Sequence, residues 1–429
     1  MMKKRLYLTL IGCAIALFAQ PIYAQNLQVL KYSSAKIEAL FLENNLQLIA
    51  EKMNISLADA EISQAKLWDN PELSIEEVNL WSRKNQREEL EADGFPRHTQ
   101  FSIELSQLIQ TAGKRRKLVN SLKVSKEIAI MEFEDVLRTL KTELRTIIYE
   151  TEYLQSYRNV LLVEEESLMQ LIAAYKKQTQ QGNVAKSELL RLQSGLLELQ
   201  NERNETEVEL NEQQRQLKSF LNLPPLCVIE VYNPEVKTIH PDEVSLTLLF
   251  EKARDYRPDI KSGKLQTLFH QKTLKYEKAQ RVPDLTLSAA YDRRGGVWKD
   301  YIGFGVSFDI PFWNRNQGGI KAAKINIEQS KVQSQEQQNT MEHEITEAFY
   351  NYQRAFFFYT DIENNELLVE LDDMLDLYTK NFLRRNVSML EYLDFIEAYK
   401  SNKQIKLNSR KNLYASFEEF QSTVGSEIK

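Results

Sequence analysis

The chain has 429 residues, 42% of them hydrophobic and 27% charged, with a formal net charge of −6. This balance excludes a disordered chain and a bundle of apolar membrane helices. The acidic sign argues against a nucleic-acid binder. Glycine and proline number only 13 and 10, so the usual punctuation of loops is scarce and long uninterrupted elements are expected.

The N-terminus reads as an export signal. Lys3, Lys4 and Arg5 precede an apolar run from Leu6 to Phe18, and Ile22-Tyr23-Ala24 ends in a small residue suited to signal-peptidase cleavage. Residues 1–24 are therefore expected to leave, and the mature chain of an exported bacterial protein to begin at Gln25. A rival reading is a lipoprotein signal, because Leu10-Ile11-Gly12-Cys13 resembles a lipobox that would lipidate Cys13. The apolar run before Cys13 is short, however, and more apolar sequence follows it. After residue 24 no run of eighteen apolar residues remains, so a membrane role calls for a β-barrel or an anchor. Cys227 is the one cysteine of the mature chain, which excludes an intramolecular disulfide.

The next segments form a pattern that occurs twice. Ser34 to Trp68 carries a helical pattern, broken at Asn70-Pro71. Pro71 to Glu76 alternates with period two, as a strand does. A charged stretch, Trp81 to His98, leads to a second alternating run from Gln100 to Ser106. After Thr111-Ala112-Gly113-Lys114 a very long helical pattern runs to about Gln180, breaks at Gln181-Gly182-Asn183, resumes from Ser187 to Leu221 and ends at Asn222-Leu223-Pro224-Pro225. The second half repeats this order. A helix is expected from Pro258 to Gln280, a break at Val282-Pro283 and alternation from Asp284 to Ala289. A turn containing Gly295-Gly296 and alternation from Ile302 to Ile310 follow. A second very long helix opens at Asn316-Gln317-Gly318-Gly319, breaks near Arg385-Asn386 and resumes from Met389 to about Ser422.

Two structural repeats are expected, residues 25–240 and 241–429. The first has strands at about 71–78 and 100–109 and a tip at about 180–187. The second has strands at about 283–291 and 301–311 and a tip at about 384–389. The stretches Lys114 to Gly182 and Gly319 to Arg385 are nearly equal in length, and the wording of the breaks agrees: Gly182-Asn183-Val184 beside Arg385-Asn386-Val387, Pro71-Glu72-Leu73 beside Pro283-Asp284-Leu285. A helix of this size is about 100 Å long and must pack laterally against similar helices. Leu137, Leu140, Leu144, Ile147 and Ile148 supply one apolar stripe for that purpose.

Four strands of this length suit a bilayer crossing. Four cannot close into a barrel, and open edges cannot face lipid, so several protomers must share one barrel. Leu73, Ile75, Phe101, Ile103, Leu105, Leu285, Leu287, Phe304, Val306 and Phe308 would face lipid. Glu72, Ser74, Glu76, Ser102, Glu104, Thr286, Ser288, Ser307 and Asp309 would face a wet lumen. Alternation alone favours a small soluble sheet with one buried face, since half-buried sheets are common. Export, duplication and the long helices together favour the membrane.

From about Ser34 to Glu427 the chain resembles the TolC-type outer-membrane efflux channels. The resemblance rests on Asn70-Pro71-Glu72-Leu73, Gly182-Asn183-Val184, Arg257-Pro258-Asp259 and Val282-Pro283-Asp284-Leu285, in that order. Within that family it is most similar to the outer-membrane component of cobalt-zinc-cadmium (heavy-metal) exporters. That narrower likeness rests on Gln110-Thr111-Ala112-Gly113-Lys114-Arg115, Pro311 to Gly318, and Ser388 to Phe395. The resemblance implies a mainly α fold with a small β part. Its long periplasmic helical tunnel would stand below four transmembrane strands per protomer, twelve in a homotrimer. It also implies a bacterial outer-membrane location with a large periplasmic portion, a periplasmic adaptor, an inner-membrane RND-type pump, and a passive exit duct whose cargo includes metal cations. The alternative is a soluble periplasmic coiled-coil adaptor or scaffold.

Carried over from the family, Glu391 and Asp394 would line a periplasmic gate. They stand three residues apart on one helical face, and threefold symmetry would gather six carboxylates that attract cations. An ordinary solvated helix face is the competing account of this pair. Gly182, Asn183, Val184, Arg385, Asn386 and Val387 would form the tips that meet the adaptor. Gly182 suits a left-handed turn, while Arg385 departs from the family's glycine. Ser187 and Ser388 read as helix N-caps. His98, His240, His270 and His343 are scattered without metal-ligand spacing. No nucleophile elbow or phosphate loop is present: Asn316-Gln317-Gly318-Gly319 lacks the Lys-Ser/Thr ending and reads as a strand-to-helix turn. No enzymatic activity, cofactor or protein-bound metal is expected.

Overall fold

The computed structural model describes residues 28–79, 100–232, 236–295, 298–384, 386–426 and 428. The leader, Cys13, the stretch from Trp81 to His98, and Arg385 lie outside the described residues.

In chain order the elements are β1 (Gln28–Ser33), α1 (Ser34–Asn44), α2 (Leu46–Lys66), β2 (Glu72–Asn79), β3 (Gln100–Ile109), α3 (Lys114–Gln180), α4 (Lys186–Phe220) and β4 (Cys227–Tyr232). A 3-10 turn, Pro241–Glu243, precedes α5 (Leu246–Tyr256), α6 (Pro258–Ala279), β5 (Leu285–Gly295), β6 (Trp298–Ser307), α7 (Gln317–Glu363), α8 (Glu366–Leu383) and α9 (Met389–Val424). The protein is mainly helical with a small β part, as expected. α3 alone is 67 residues long.

Several details differ from the sequence reading. The second very long helix is two helices, α7 and α8, parted at Asn364-Asn365. The Asn364 N–H closes the last turn on Thr360 O at 3.0 Å and the chain restarts at Glu366. The first helical segment is likewise two, because Asn45 leaves helical geometry and its side chain donates to Phe220 O at 3.0 Å. Ser187 is not an N-cap. Helix α4 starts at Lys186, its cap residue is Ala185 without a side-chain bond, and Ser187 already lies in the first turn. β5 continues to Gly295, whereas β6 ends at Ser307, so Phe308 and Ile310 leave the ladder ahead of Pro311.

The chain forms two compact units. Among the described residues, one holds those up to Asn45, Leu144–Val236 and Asn365–Lys411. The other holds Leu46–Glu143, Lys237–Asn364 and the residues from Asn412 onward.

In the first unit β1 pairs in parallel with β4, Leu30 opposite Ile229. The free edge of β4 needs partners, because a buried N–H or C=O without one is costly. Two glutamines from the long helices supply them. Gln214 takes the Ile229 N–H at 2.8 Å and returns a bond to its carbonyl at 2.7 Å. Gln155 donates to the same carbonyl at 2.9 Å and accepts the Val231 N–H at 3.2 Å. Two apolar clusters pack the helices of this unit. Tyr153, Leu154, Tyr157, Leu161, Leu199 and Leu210 form one; Leu168, Leu171, Leu192, Phe382 and Tyr392 form the other.

The second unit carries the four-stranded antiparallel sheet, in the order β2-β3-β5-β6. It also holds an aromatic core in which the buried Tyr352 ring lies against Phe417 and Phe420, with centroids at 5.0 and 5.7 Å. The Tyr352 hydroxyl donates to Ile239 O and receives the Ile239 N–H at 3.1 Å.

Candidate functional site

The sheet separates its side chains by chemistry. The register sets Leu73 opposite Leu105, Ile75 opposite Ile103, Leu105 opposite Ala289, Ile103 opposite Tyr291, Leu287 opposite Val306 and Ala289 opposite Phe304. Opposed residues share a face, so these nine positions form one apolar face. Glu72, Ser74 and Glu76 oppose Ser106, Glu104 and Ser102, and Ser288 opposes both Ser106 and Gly305. The second face is therefore polar. The apolar face is open: Phe304 is 86% exposed, with Ile302, Val306, Leu73 and Ile75 exposed beside it. β2 and β6 are the edge strands of the sheet.

Aromatic residues stand at the strand ends. The strands alternate in direction, so the start of β2 and the end of β6 lie at one end of the sheet. Trp68 precedes β2, and Phe312 and Trp313 follow β6; Trp313 is 85% exposed. Trp298 opens β6 at the opposite end and is exposed as well. The Arg115 guanidinium covers the Trp68 ring at 3.8 Å. Phe312 and Trp313 border a hollow with Arg281, Arg315, Lys321 and Lys324. Rings at both strand ends, with cations beside them at one end, are the arrangement of a bilayer interface. Among the described residues no helix is long and apolar enough to cross a membrane.

The helix breaks have defined geometry. At the end of α3 the Asn183 N–H bonds Gln178 O at 2.9 Å and the Gly182 N–H bonds Thr179 O at 3.0 Å. Gly182 has φ of +77°. These are the two bonds and the left-handed residue of a Schellman motif. At the end of α8 the Asn386 N–H bonds Asn381 O at 2.9 Å, repeating the bond that Asn183 makes five residues back. The Asn side chains repeat too: Asn183 Nδ2 reaches Gln178 Oε1 at 3.0 Å and Asn386 Nδ2 reaches Asn381 Oδ1 at 3.4 Å. Gly182, Asn183 and Asn386 are exposed, Val184 is half-buried, and Val387 packs against the Phe382–Tyr392 cluster.

Ser388 and Glu391 form a reciprocal cap at the start of α9. The Glu391 N–H donates to Ser388 Oγ at 3.2 Å, and the Ser388 N–H donates to Glu391 Oε2 at 2.9 Å. That backbone bond, followed by the bond with the Ser388 side chain, holds the Glu391 carboxyl below its ordinary value. Asp394 lies one turn further on and is also exposed. Tyr392 between them is buried, its ring stacked on Phe382 at 4.4 Å. Both acids thus share the outer face of a helix whose inner face is fixed by aromatic packing.

Among the described residues no group of three His, Cys, Asp or Glu side chains could hold a metal ion. His98 is outside those residues. Burial lowers the affinity of His270 for a proton. Sequence reasoning missed the β1–β4 pair, although Cys227 to Tyr232 alternates in burial and is rich in β-branched residues.

Residues 39–223 match the family described as Outer membrane efflux protein. Sequence comparison with curated proteins finds no match. The fold is that of solved outer-membrane channels. The outer membrane protein VceC from Vibrio cholerae superimposes with a TM-score of 0.70 at 15% identity, over 92% of this chain and 97% of that one. The Campylobacter jejuni CmeC outer membrane channel gives 0.71 at 17% identity, over 91% and 85%. The transmembrane channel CusC gives 0.68 at 16% identity, over 92% of each chain. The chain thus matches the outer membrane efflux protein family over residues 39–223, and it shares the fold of solved outer-membrane channels over nine-tenths of its length.

Proposed function

We propose that this chain is one protomer of a homotrimeric outer-membrane channel, the passive exit duct of a tripartite efflux system. A periplasmic adaptor and an inner-membrane RND-type pump would deliver the cargo. The observation that carries this reading is the sheet with its exposed apolar face, its polar face and its two edge strands. Lipid is the solvent that suits the first, a watery lumen suits the second, and neighbouring copies satisfy the third. The internal duplication would place two similar tips, at Asn183 and Asn386, toward the adaptor, and Glu391 and Asp394 at the gate. We further propose that metal cations are among the cargo, from the likeness to heavy-metal exporters in Gln110 to Arg115 and Ser388 to Phe395.

A soluble periplasmic adaptor is the other reading. It leaves the Leu73–Phe304 face in water, an exposed apolar patch that soluble proteins avoid. Cell fractionation separates the two. The channel reading expects the chain in the outer membrane, released only by detergent; recovery in the soluble periplasm would refute it.

A further inference from the structure

Within the first unit, α3, α4, α8 and α9 line a cavity of about 370 Å³ to which the channel reading gives no role beyond the gate residue Asp394 in its lining. We propose that this cavity is a binding site for a small organic cation with an apolar body, with Glu164 as its counter-charge.

Glu164 lines the cavity, is only 5% exposed, and neither carboxylate oxygen has a hydrogen-bond partner. An unsatisfied buried acid is costly, and its neighbours show that the site is not simply short of donors. Glu165, next in sequence, accepts Gln200 Nε2 at 2.9 Å. Lys400 also lines the cavity, but its ammonium goes to Glu202 at 2.6 Å, and Glu202 in turn accepts the Tyr157 hydroxyl. Glu164 is the buried acid left facing the space without a hydrogen-bond partner among the described residues.

The rest of the lining selects the ligand class. Leu168, Leu199, Leu393 and Ile396 provide apolar wall. That wall suits a hydrocarbon body and offers nothing to a hydrated metal ion. Glu198, Asp394 and Glu397 are exposed lining acids against the exposed Arg191, so the entrance favours a cation.

Occupancy must be coupled to a proton. Burial pushes the Glu164 carboxyl up to about 8, with Lys400 opposing the rise and Glu202 adding to it. At neutral pH the empty site therefore holds a carboxylic acid. When a cation enters, the O–H proton leaves to solvent and the carboxylate takes the ligand's charge, so the charge inside the cavity is conserved. The charged and titratable groups facing Glu164 are Tyr157 on its own helix, Arg191, Glu198 and Glu202 on α4, and Tyr392, Asp394, Glu397 and Lys400 on α9.

The test is calorimetric titration of the full-length, detergent-solubilised protein with benzamidine, a planar aromatic cation. Binding at pH 9 should be about thirtyfold tighter than at pH 6.5, because the ionised fraction of Glu164 rises by that factor over the range. At pH 7 the apparent enthalpy should change with the buffer, reporting the released proton. Glu164→Gln should abolish binding at both pH values, and neutral benzyl alcohol should not bind. A second variant leaves the charge in place. A side chain at Gly195 would project toward Leu168 and Leu393, whose nearest atoms lie 3.9 and 4.0 Å from an added Cβ. Gly195→Met should therefore fill the cavity and abolish binding with Glu164 intact. No benzamidine binding at pH 9, or equal binding by either variant, overturns the proposal; so does affinity independent of pH.

Discussion

Lys114 Nζ lies 2.8 Å from Asp284 Oδ2, with the lysine side chain only 5% exposed. The other carboxylate oxygen receives the Thr111 N–H at 2.7 Å, and the Thr111 hydroxyl bonds Pro283 O. The turn that starts the long α3 helix is thereby fixed to the loop that starts β5. Residues from the two halves of the sequence close one joint between helix and sheet. Asp284→Ala strands a buried ammonium, so it should cost about 2–3 kcal/mol, toward the low end for a buried pair because Asp284 is partly exposed. Thermal melting should show the loss, and Lys114→Met in the same background should recover much of it.

Arg257 is a second joint. Its guanidinium holds Asp259 through two bonds of 3.0 and 2.6 Å, Glu344 at 2.7 Å and Thr423 O at 3.0 Å. Burial would raise the Asp259 carboxyl, but the hydrogen bonds and charge of Arg257 override it and hold the group below its ordinary value. A depressed folded value adds stability that is complete above the unfolded value near pH ~4 and is lost as pH falls through the folded one. Melting followed from pH 7 downward should show an acid-dependent loss in the wild type. Arg257→Met should start less stable by about 3 kcal/mol and show a shallower loss below pH ~4.

The apolar face gives a sharper test of membrane insertion. Phe304→Arg puts a charge on the face assigned to lipid, at a cost of about 2–4 kcal/mol near the bilayer midplane. The outer-membrane fraction of the protein should fall. Ser288→Arg, on the polar face, should leave it largely unchanged. Equal loss from both would remove the distinction between faces.

The strands were legible because alternation is local. Leu73, Ile75, Phe304 and Val306 announce their face within a few residues, and the register of the sheet bears it out. The cap at Ser388 was legible for the same reason, since a serine followed three residues later by glutamate is a short-range signal. Ser187 misled because a serine one residue inside a helix start looks like one at the cap. The break at Asn364 escaped notice because α7 and α8 share a helical pattern, and two asparagines interrupt it without a Gly or Pro. The cavity was invisible: Glu164, Leu199, Asp394 and Lys400 come from three helices, and each alone reads as an ordinary helix residue.

The gate assignment predicts a change in conduction. Glu391→Gln with Asp394→Asn would remove six carboxylates from the proposed trimer. Loss of self-repulsion and loss of cation binding act in opposite directions on opening. The second should dominate conductance, because a bound multivalent ion sits in the path itself. Planar-bilayer recordings should show weaker block by a divalent or trivalent cation in the double variant. Because Glu391 also closes the cap on Ser388, unchanged melting is the control. Equal block in both proteins would place the constriction elsewhere.

The central claim is that four strands per chain close only with other copies. Native mass measurement of the protein extracted from membranes in mild detergent tests this directly. Three chains per particle, each beginning near Gln25, is the predicted result. A stable monomer under those conditions would contradict the account.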